Sequence, residues 1–170
     1  YASDVTRTYP VGGRFQGPSR AVYEVVLAAQ QAALAVCRPG TTLPKIHKTA
    51  LRSLVEGMVS LGLLTGTVDD LIKSEKYRDY FMHGTSHWLG LDVHDVGNYT
   101  AKGKALTLDP GMVFTVEPGL YIPAHDTSAP EHLRGIGVRI EDDVLVTEDG
   151  IENFNHAIPK QPDEIEAWMS

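Results

Sequence analysis

The chain has 170 residues and a formal net charge of −7 at pH 7, and its lysines and arginines are scattered, which argues against nucleic acid as a partner. This length predicts one domain with a core large enough to fold without disulfides. No apolar run approaches the roughly 20 residues that cross a bilayer, and a single cysteine leaves no internal disulfide, so we expect a cytoplasmic protein with no part in a membrane.

The first segment of the chain has the composition of a strand. Residues 3–11 are rich in β-branched and aromatic side chains and lead into a pair of glycines, which predicts a strand that ends there. Side chains alternate along a strand, so Asp4 shares a face with Thr6 and Thr8. The chain starts at Tyr1, without a methionine, and enters this strand at once. We therefore expect a piece of a longer protein.

Two amphipathic helices are predicted next. The first starts near Gly17 and ends before the Pro-Gly pair at 39–40, and the second starts near Thr42 and runs to Gly62. Cys37 lies in the first helical pattern, and we expect it to be buried and unreactive. The apolar faces are formed by Val22, Val25, Val26, Ala29, Ala33 and Val36 in the first helix and by Ile46, Ala50, Leu54, Met58 and Leu61 in the second.

The rest of the chain is mainly β. A short helix is predicted over 68–74 and a last helical turn or two over 162–169, but residues 81–147 are rich in strand-forming residues and interrupted by glycines. The clearest strands are 112–116 and 138–140. Helices early in the chain and strands late predict one α+β domain with a curved antiparallel sheet.

Strand alternation brings carboxylates onto one face of the predicted sheet. Glu117 ends an apolar strand and points to the same side as Thr115. A carboxylate in such a place is costly unless a cation neutralises it. Glu141 shares a face with Arg139, two residues earlier. With Asp4, three carboxylates from three strands are expected to meet on one concave face.

Each acidic residue also has an ordinary interpretation. Glu117 alone is compatible with a solvated strand end, and Arg139 with Glu141 is compatible with a plain ion pair. Asp142 and Asp143 are expected to be turn residues and not ligands. The ordinary interpretations would require several coincidences, so a metal site is favoured. An oxygen-rich set with a single imidazole suits Mn²⁺ better than structural zinc.

Three of the seven histidines, His83, His87 and His94, are close together in sequence. The spacing of the first two is that of a helical zinc-protease motif, but no glutamate follows His83 and Gly84 disfavours a helix, so that motif is excluded. We expect one of the three to bind metal and two to act as donors at the reaction centre. The other four are expected to face solvent: His47, which lies between two lysines, and His125, His132 and His156.

These motifs resemble the bacterial X-Pro aminopeptidases of the pita-bread metallopeptidase family. The most specific part is the run that begins His83-Gly84-Thr85-Ser86-His87-Trp88 and continues to Gly97. Further similarity lies in the segments 3–10, 109–112, 115–121 and 134–143, so the resemblance covers essentially the whole chain.

The resemblance implies a pita-bread fold and a two-metal centre that releases the residue before a proline in second position. The metal is usually Mn²⁺, with Co²⁺ or Zn²⁺ as substitutes in vitro. The implied metal ligands are Asp4, His87, Glu117 and Glu141, with the first and last contacting both ions. The implied catalytic residues are His83, His94, Glu117 and Arg139, and the implied substrate contacts are His83, His94 and Tyr121.

The chain also departs from the family pattern. Family members carry one more Asp ligand just before the strand that holds Asp4, an upstream substrate histidine and an N-terminal domain. We therefore expect residues 1–170 to be the C-terminal part of the catalytic domain, inactive or weakly active alone. The intact protein is expected to be a homo-oligomer that acts on peptides with an X-Pro N-terminus.

Three other functions stay open on the sequence alone. Prolidase, an X-Pro dipeptidase, shares the fold and the ligands, although the stretch 86–89 favours the aminopeptidase. Methionine aminopeptidase shares the ligand set but not the long histidine motif. Some pita-bread domains are metal-free binding modules, but such modules tend to lose carboxylate ligands, and this chain keeps every ligand it is long enough to carry.

Overall fold

The computed structural model describes all 170 residues, with helices early in the chain and antiparallel strands later. The α-helices are α1 (Gly17–Ala35), α2 (Leu43–Ser60), α3 (Val68–Lys73) and α4 (Pro162–Trp168). The strands are β1 (Thr100–Ala101), β2 (Lys104–Ala105), β3 (Val113–Val116), β4 (Gly119–Tyr121), β5 (Gly137–Arg139), β6 (Asp142–Val146) and β7 (Ile151–Asn153). Short 3₁₀ turns lie at Lys76–Asp79 and Glu131–Leu133. The predicted α+β class is confirmed.

The two long helices form where the sequence predicts them and pack closely together. Thr42 caps α2, since its side chain accepts a hydrogen bond from the Lys45 N–H. A Cβ atom built on Gly57 would lie 2.2 Å from Val25 Cγ1 on α1, so only glycine allows this approach of the helices. Cys37 is buried, and burial raises the pKa of its thiol to about 12, as expected for an unreactive cysteine. None of the helices combines the length and apolar character needed to cross a bilayer.

The strands pair in antiparallel fashion, and α1 packs against β3, β4 and β5. β3, β6 and β7 form one sheet, β4 pairs with β5, and β1 pairs with β2. Val116 pairs with Asp142 at the end of one ladder, and Gly119 pairs with Arg139 at the start of the next. The β3–β6 ladder and the β4–β5 ladder have the same register, although residues 117–118 and 140–141 between them are not part of either ladder. β3–β4 and β5–β6 therefore form one long hairpin with an interruption in its middle.

The interruption has a local cause in the sequence. Pro118 has no N–H to donate and cannot complete a ladder. Its carbonyl still accepts a hydrogen bond from the Ile140 N–H at 3.3 Å, which keeps the two sides in register. Glu117 precedes Pro118 and Glu141 follows Ile140. The two glutamates therefore lie opposite each other between the β3–β6 ladder and the β4–β5 ladder.

Residues 3–11 do not form the predicted strand. Only Thr6 makes a backbone bridge, to Glu141. Beside it, a side chain replaces the backbone partner, since the Asp4 N–H donates to Asp143 Oδ2 at 3.1 Å. A regular ladder needs backbone groups on both strands. The segment lies along the sheet without becoming a strand of it.

The expectation that Asp142 and Asp143 are turn residues is wrong, because both are buried in β6. Asp142 accepts hydrogen bonds of 2.5–2.7 Å from four side chains: Arg7, Gln30, Asn153 and Lys160. Burial alone would raise the pKa of this carboxyl. The hydrogen bonds from Lys160 and Asn153 and the positive charge of Lys160 outweigh burial and lower the pKa to about 2. The sequence suggested a turn because the partners are distant in the chain and cannot be inferred from local composition.

We predict that Asp142→Asn destabilises the protein by about 3–5 kcal/mol, because it leaves the buried guanidinium of Arg7 and the partly buried ammonium of Lys160 without a counter-charge. Urea denaturation followed by tryptophan fluorescence measures the change. Asp69→Asn is the matched control, since Asp69 pairs with Arg52 on the exposed surface, where such pairs contribute about 1 kcal/mol or less. Equal effects of the two substitutions would contradict the role given to Asp142.

Candidate metal centre

Glu117 and Glu141 lie opposite each other at the interruption of the long hairpin. The register on both sides places them as a cross-strand pair. Directly opposed like charges destabilise a sheet. Glu141 is 1% exposed, so water cannot screen its charge. An opposed pair of carboxylates at this depth needs a proton or a cation between them.

Two further segments extend this row on either side. The Glu141 N–H donates to the Thr6 carbonyl at 3.0 Å, which brings the segment of Asp4 alongside. On the other side, the Glu117 N–H donates to the Thr85 carbonyl at 2.8 Å, which brings the segment of His87 alongside. Four neighbouring segments of backbone therefore present the four residues that the sequence suggested as metal ligands.

The four side chains converge through His87. Its Nε2 lies 3.2 Å from Asp4 Oδ2 and 3.4 Å from Glu117 Oε1. Two groups of three have ligand atoms within 4.8 Å of one another, one made by Asp4, His87 and His94 and the other by His87, Glu117 and Glu141. Adjacent ligands of an octahedral ion with bonds of about 2.0–2.1 Å lie about 3 Å apart. The observed separations are compatible with shared ions.

The ring orientation of His87 supports a cation at this place. Its Nδ1 lies 3.0 Å from the Trp88 carbonyl, which can only accept, so Nδ1 carries a hydrogen. In the neutral ring, Nε2 then presents a lone pair to the carboxylate oxygens of Asp4 and Glu117. Lone pairs at these distances repel unless a positive charge lies between them. The donor set therefore fits a divalent metal ion.

Glu141 is the residue of the cluster whose pKa is raised most clearly. Burial, together with the negative charges of Glu117 and Asp4, raises the pKa of its carboxyl to about 7, although the Thr6 hydrogen bond and the charge of Arg139 lower it. A divalent ion among these side chains would favour the ionised form.

Arg139 reaches Glu141 mainly through a threonine. Its Nε donates to Thr6 Oγ1 at 3.1 Å, and the Thr6 hydroxyl donates to Glu141 Oε2 at 2.5 Å. The direct distance from Arg139 Nε to Glu141 Oε2 is 3.8 Å. The arrangement orients one carboxylate oxygen and leaves the other available, which a plain two-residue ion pair would not require.

His83, His94 and Tyr121 lie at the edge of the cluster. The rings of His94 and His87 meet edge to face, 4.4 Å apart. His83 Nδ1 lies 2.7 Å from the Gly84 carbonyl and therefore carries a hydrogen, so Nε2 accepts from the Tyr121 hydroxyl at 2.8 Å. With both ring nitrogens engaged, neutral His83 can donate to a bound substrate only after one of these hydrogen bonds changes.

Two contacts were missed by the sequence reasoning. Thr115 accepts from the His87 N–H at 3.1 Å and donates to Glu117 Oε1 at 3.3 Å, so it holds two of the ligands. The contact with Glu117 could have been predicted, because alternation places Thr115 on the same strand face as Glu117.

His47 was expected to face solvent, which is wrong, since it is partly buried and hydrogen-bonded to Thr85. It lies one helical turn from the buried residues Leu43 and Leu51, and this neighbourhood outweighs its flanking lysines. The exposure of His125, His132 and His156 is confirmed.

Comparisons with known proteins agree on a single family. The model of metallopeptidase family M24 matches residues 1–148. The Xaa-Pro aminopeptidase of Escherichia coli (strain K12) is 52% identical over 169 residues, and that of Haemophilus influenzae is 48% identical over 170 residues. These alignments cover 99% and 100% of this chain and 38% and 39% of the relatives, so the chain spans about two-fifths of the length of these proteins.

Solved structures show the same similarity. The structure of Pseudomonas aeruginosa aminopeptidase PepP superposes with a TM-score of 0.98 at 50% identity, over 99% of this chain and 38% of that one. A zinc-substituted E. coli aminopeptidase P in complex with product gives a TM-score of 0.94 at 51% identity, with the same coverage. The pita-bread fold expected from the resemblance is confirmed.

We predict that Glu117→Gln and Glu141→Gln each weaken Mn²⁺ binding by the intact protein more than about tenfold, since loss of even an indirect partner of a ligand has an effect of 10- to 100-fold. Isothermal calorimetry on the metal-free protein measures the affinity. Glu152→Gln serves as the control, because Glu152 is exposed on β7. Unchanged affinity in both cluster variants would rule out these carboxylates as ligands.

Proposed function

This chain belongs to metallopeptidase family M24, and from that premise we propose that it is part of a metal-dependent aminopeptidase that releases the N-terminal residue from peptides with proline in second position. The observation that carries the proposal is the convergence of Asp4, His87, Glu117 and Glu141 on one space. The relatives named Xaa-Pro aminopeptidase support the choice of substrate.

In the proposed centre, Asp4, His87, Glu117 and Glu141 would hold two divalent ions, with Asp4 and Glu141 as the carboxylates that would be shared. Carboxylate oxygens dominate this set, which favours Mn²⁺ as the resident metal, with Co²⁺ or Zn²⁺ as substitutes. Bound ions of this kind supply a water of lowered pKa and polarise the carbonyl of the peptide bond. The zinc-substituted relative supports the use of divalent ions in the family.

The proposed roles of the remaining residues follow from their positions. Glu117 would accept a proton from the attacking water and carry it to the leaving proline nitrogen; its Oε2 lies 3.9 Å from His83 Nδ1. His94, exposed beside His87, donates to the oxygen of the tetrahedral intermediate. Arg139 keeps Glu141 oriented through Thr6.

His83 and Tyr121 form a second proposed donor pair. When the substrate arrives, the Tyr121 hydroxyl leaves His83 Nε2 and donates to the peptide, or a protonated His83 donates directly. A substrate with proline in second position needs contacts from side chains, because the proline nitrogen has no hydrogen to donate and the ring fixes φ. Recognition by strand-like backbone pairing is therefore not available at that residue.

The proposal extends to the whole protein. We place residues 1–170 in the C-terminal part of the catalytic domain, and we propose that the rest of that domain supplies the remaining ligand. The single cysteine supports a cytoplasmic location. We further propose that the intact protein forms homo-oligomers, and that neither nucleic acid nor membrane is a partner.

We predict that the intact protein with Mn²⁺ hydrolyses a tripeptide of the form X-Pro-Y between its first two residues, and that Glu141→Ala lowers turnover by at least about 100-fold. Chromatographic detection of free X and of Pro-Y measures the reaction. Cleavage of an X-Pro dipeptide alone, with the tripeptide left intact, would identify a dipeptidase such as prolidase. Release only of N-terminal methionine would favour methionine aminopeptidase.

We also predict that the 170-residue chain alone binds fewer than two ions tightly and has little activity, because its centre lacks the ligand supplied by the rest of the domain. Circular dichroism verifies that the chain is folded, and elemental analysis after gel filtration gives the number of ions per chain. Two tightly held ions in the folded chain would contradict the proposed division of the ligands. Binding of no ion by the intact protein would favour a metal-free binding module.

A further inference from the structure

His47 on α2 lies behind the loop that carries His83 and His87. Its Nδ1 is 2.8 Å from Thr85 Oγ1, and Thr85 is 1% exposed. No water competes for the threonine hydroxyl at this depth. The hydrogen bond therefore joins a rigid helix to the middle of the loop.

Thr85 is the residue through which this contact reaches the centre. It lies between His83 and His87 in sequence, and its carbonyl accepts the Glu117 N–H at 2.8 Å. A shift of Thr85 would move the two histidines relative to Glu117. Gly84, beside it, places no side chain in the loop that could resist such a shift.

A second contact runs from the His47 ring to His83. His47 stacks on Phe81, with ring centroids 6.0 Å apart and planes 27° from parallel. Phe81 meets His83 edge to face at 4.8 Å. Burial lowers the pKa of His47, and the positive charge of Arg78 and the nearby His83 add to this effect. The neutral ring suits both the hydrogen bond and the stacking contact.

We propose that His47 is a positioning residue, whose hydrogen bond to Thr85 fixes the orientation of His83 and His87 towards Glu117. The proposal deepens the function proposed above and rests on it. The hydrogen bond of His47 goes to Thr85 and not to a ligand atom, so its effect on the centre is indirect. The stacking on Phe81 offers an alternative in which His47 only fills space.

The chain allows these two roles to be separated. His47→Phe keeps an aromatic ring on Phe81 and loses the hydrogen bond, whereas His47→Asn can keep a polar atom near the position of Nδ1 and loses the ring. Thr85→Val removes the other partner at nearly constant volume. His132→Asn, at an exposed site, is the control.

The experiment uses the intact protein and measures the Mn²⁺ affinity by calorimetry, kcat and KM with an X-Pro tripeptide, and the melting temperature. We expect His47→Phe and Thr85→Val each to weaken Mn²⁺ binding and to lower kcat by about tenfold, with KM little changed. The His47→Asn variant is expected to keep most of the Mn²⁺ affinity and most of the kcat of the unmodified protein. The double variant His47→Phe/Thr85→Val is expected to be no worse than either single variant, because both remove the same hydrogen bond.

Other outcomes separate the possible failures. Normal affinity and kcat in His47→Phe, together with a loss of melting temperature in His47→Asn, would reduce His47 to a packing role. Additive losses in the double variant would show that the two residues act independently and would overturn the proposal. If the unmodified protein bound no Mn²⁺ or left the tripeptide intact, the proposed function itself would fail, whatever the His47 variants did.

Discussion

The central constraint on this structure is a pair of carboxylates that lie directly opposite each other in a sheet. Glu117 and Glu141 meet at the interruption of one long hairpin, and Asp4 and the lone pair of His87 face the same space. The register of the hairpin places the two carboxylates opposite each other, and the electrostatic cost of this pair is considerable. Divalent ions bound as proposed would offset this cost, because they would neutralise the carboxylates that three of the four segments bring together.

The neighbouring residue shows the contrast most clearly. Asp142 follows Glu141 and points to the opposite side of the strand, as alternation requires. It is surrounded by Arg7, Lys160, Gln30 and Asn153, and the pKa of its carboxyl falls to about 2. Glu141 accepts one hydrogen bond, from Thr6, and its cation Arg139 is 3.8 Å away, so burial prevails and raises the pKa of its carboxyl to about 7. Arg7 and Lys160 contact Asp142 directly, whereas Glu141 has only the more distant Arg139 as a cation of the protein.

This contrast also explains how the site is held in place. Arg7 belongs to the segment of Asp4, Gln30 to α1, and Lys160 to the stretch before α4. Through Asp142 these distant parts of the chain are fastened to the strand that continues from Glu141. Family M24 relatives share the fold over this whole region, with a TM-score of 0.98 for one solved structure.

The sequence was sufficient for the helices, whose apolar spacing and caps are local, and for the strand faces that place Glu117 beside Thr115 and Glu141 beside Arg139, which follow from alternation. It was insufficient where a residue depends on partners far along the chain. Asp142 and Asp143 resemble turn residues until Arg7 and Lys160 are placed beside them, and residues 3–11 resemble a strand until side chains replace their backbone partners. His47 was misjudged from its flanking lysines, although Leu43 and Leu51 mark its face as partly buried.

Crystals of the intact protein grown with Mn²⁺, measured at the manganese absorption edge, would locate the ions directly. We predict anomalous density within bonding distance of His87 Nε2 and of carboxylate oxygens from Asp4, Glu117 and Glu141. Manganese bound only elsewhere, or an empty space among these four side chains at saturating Mn²⁺, would contradict it.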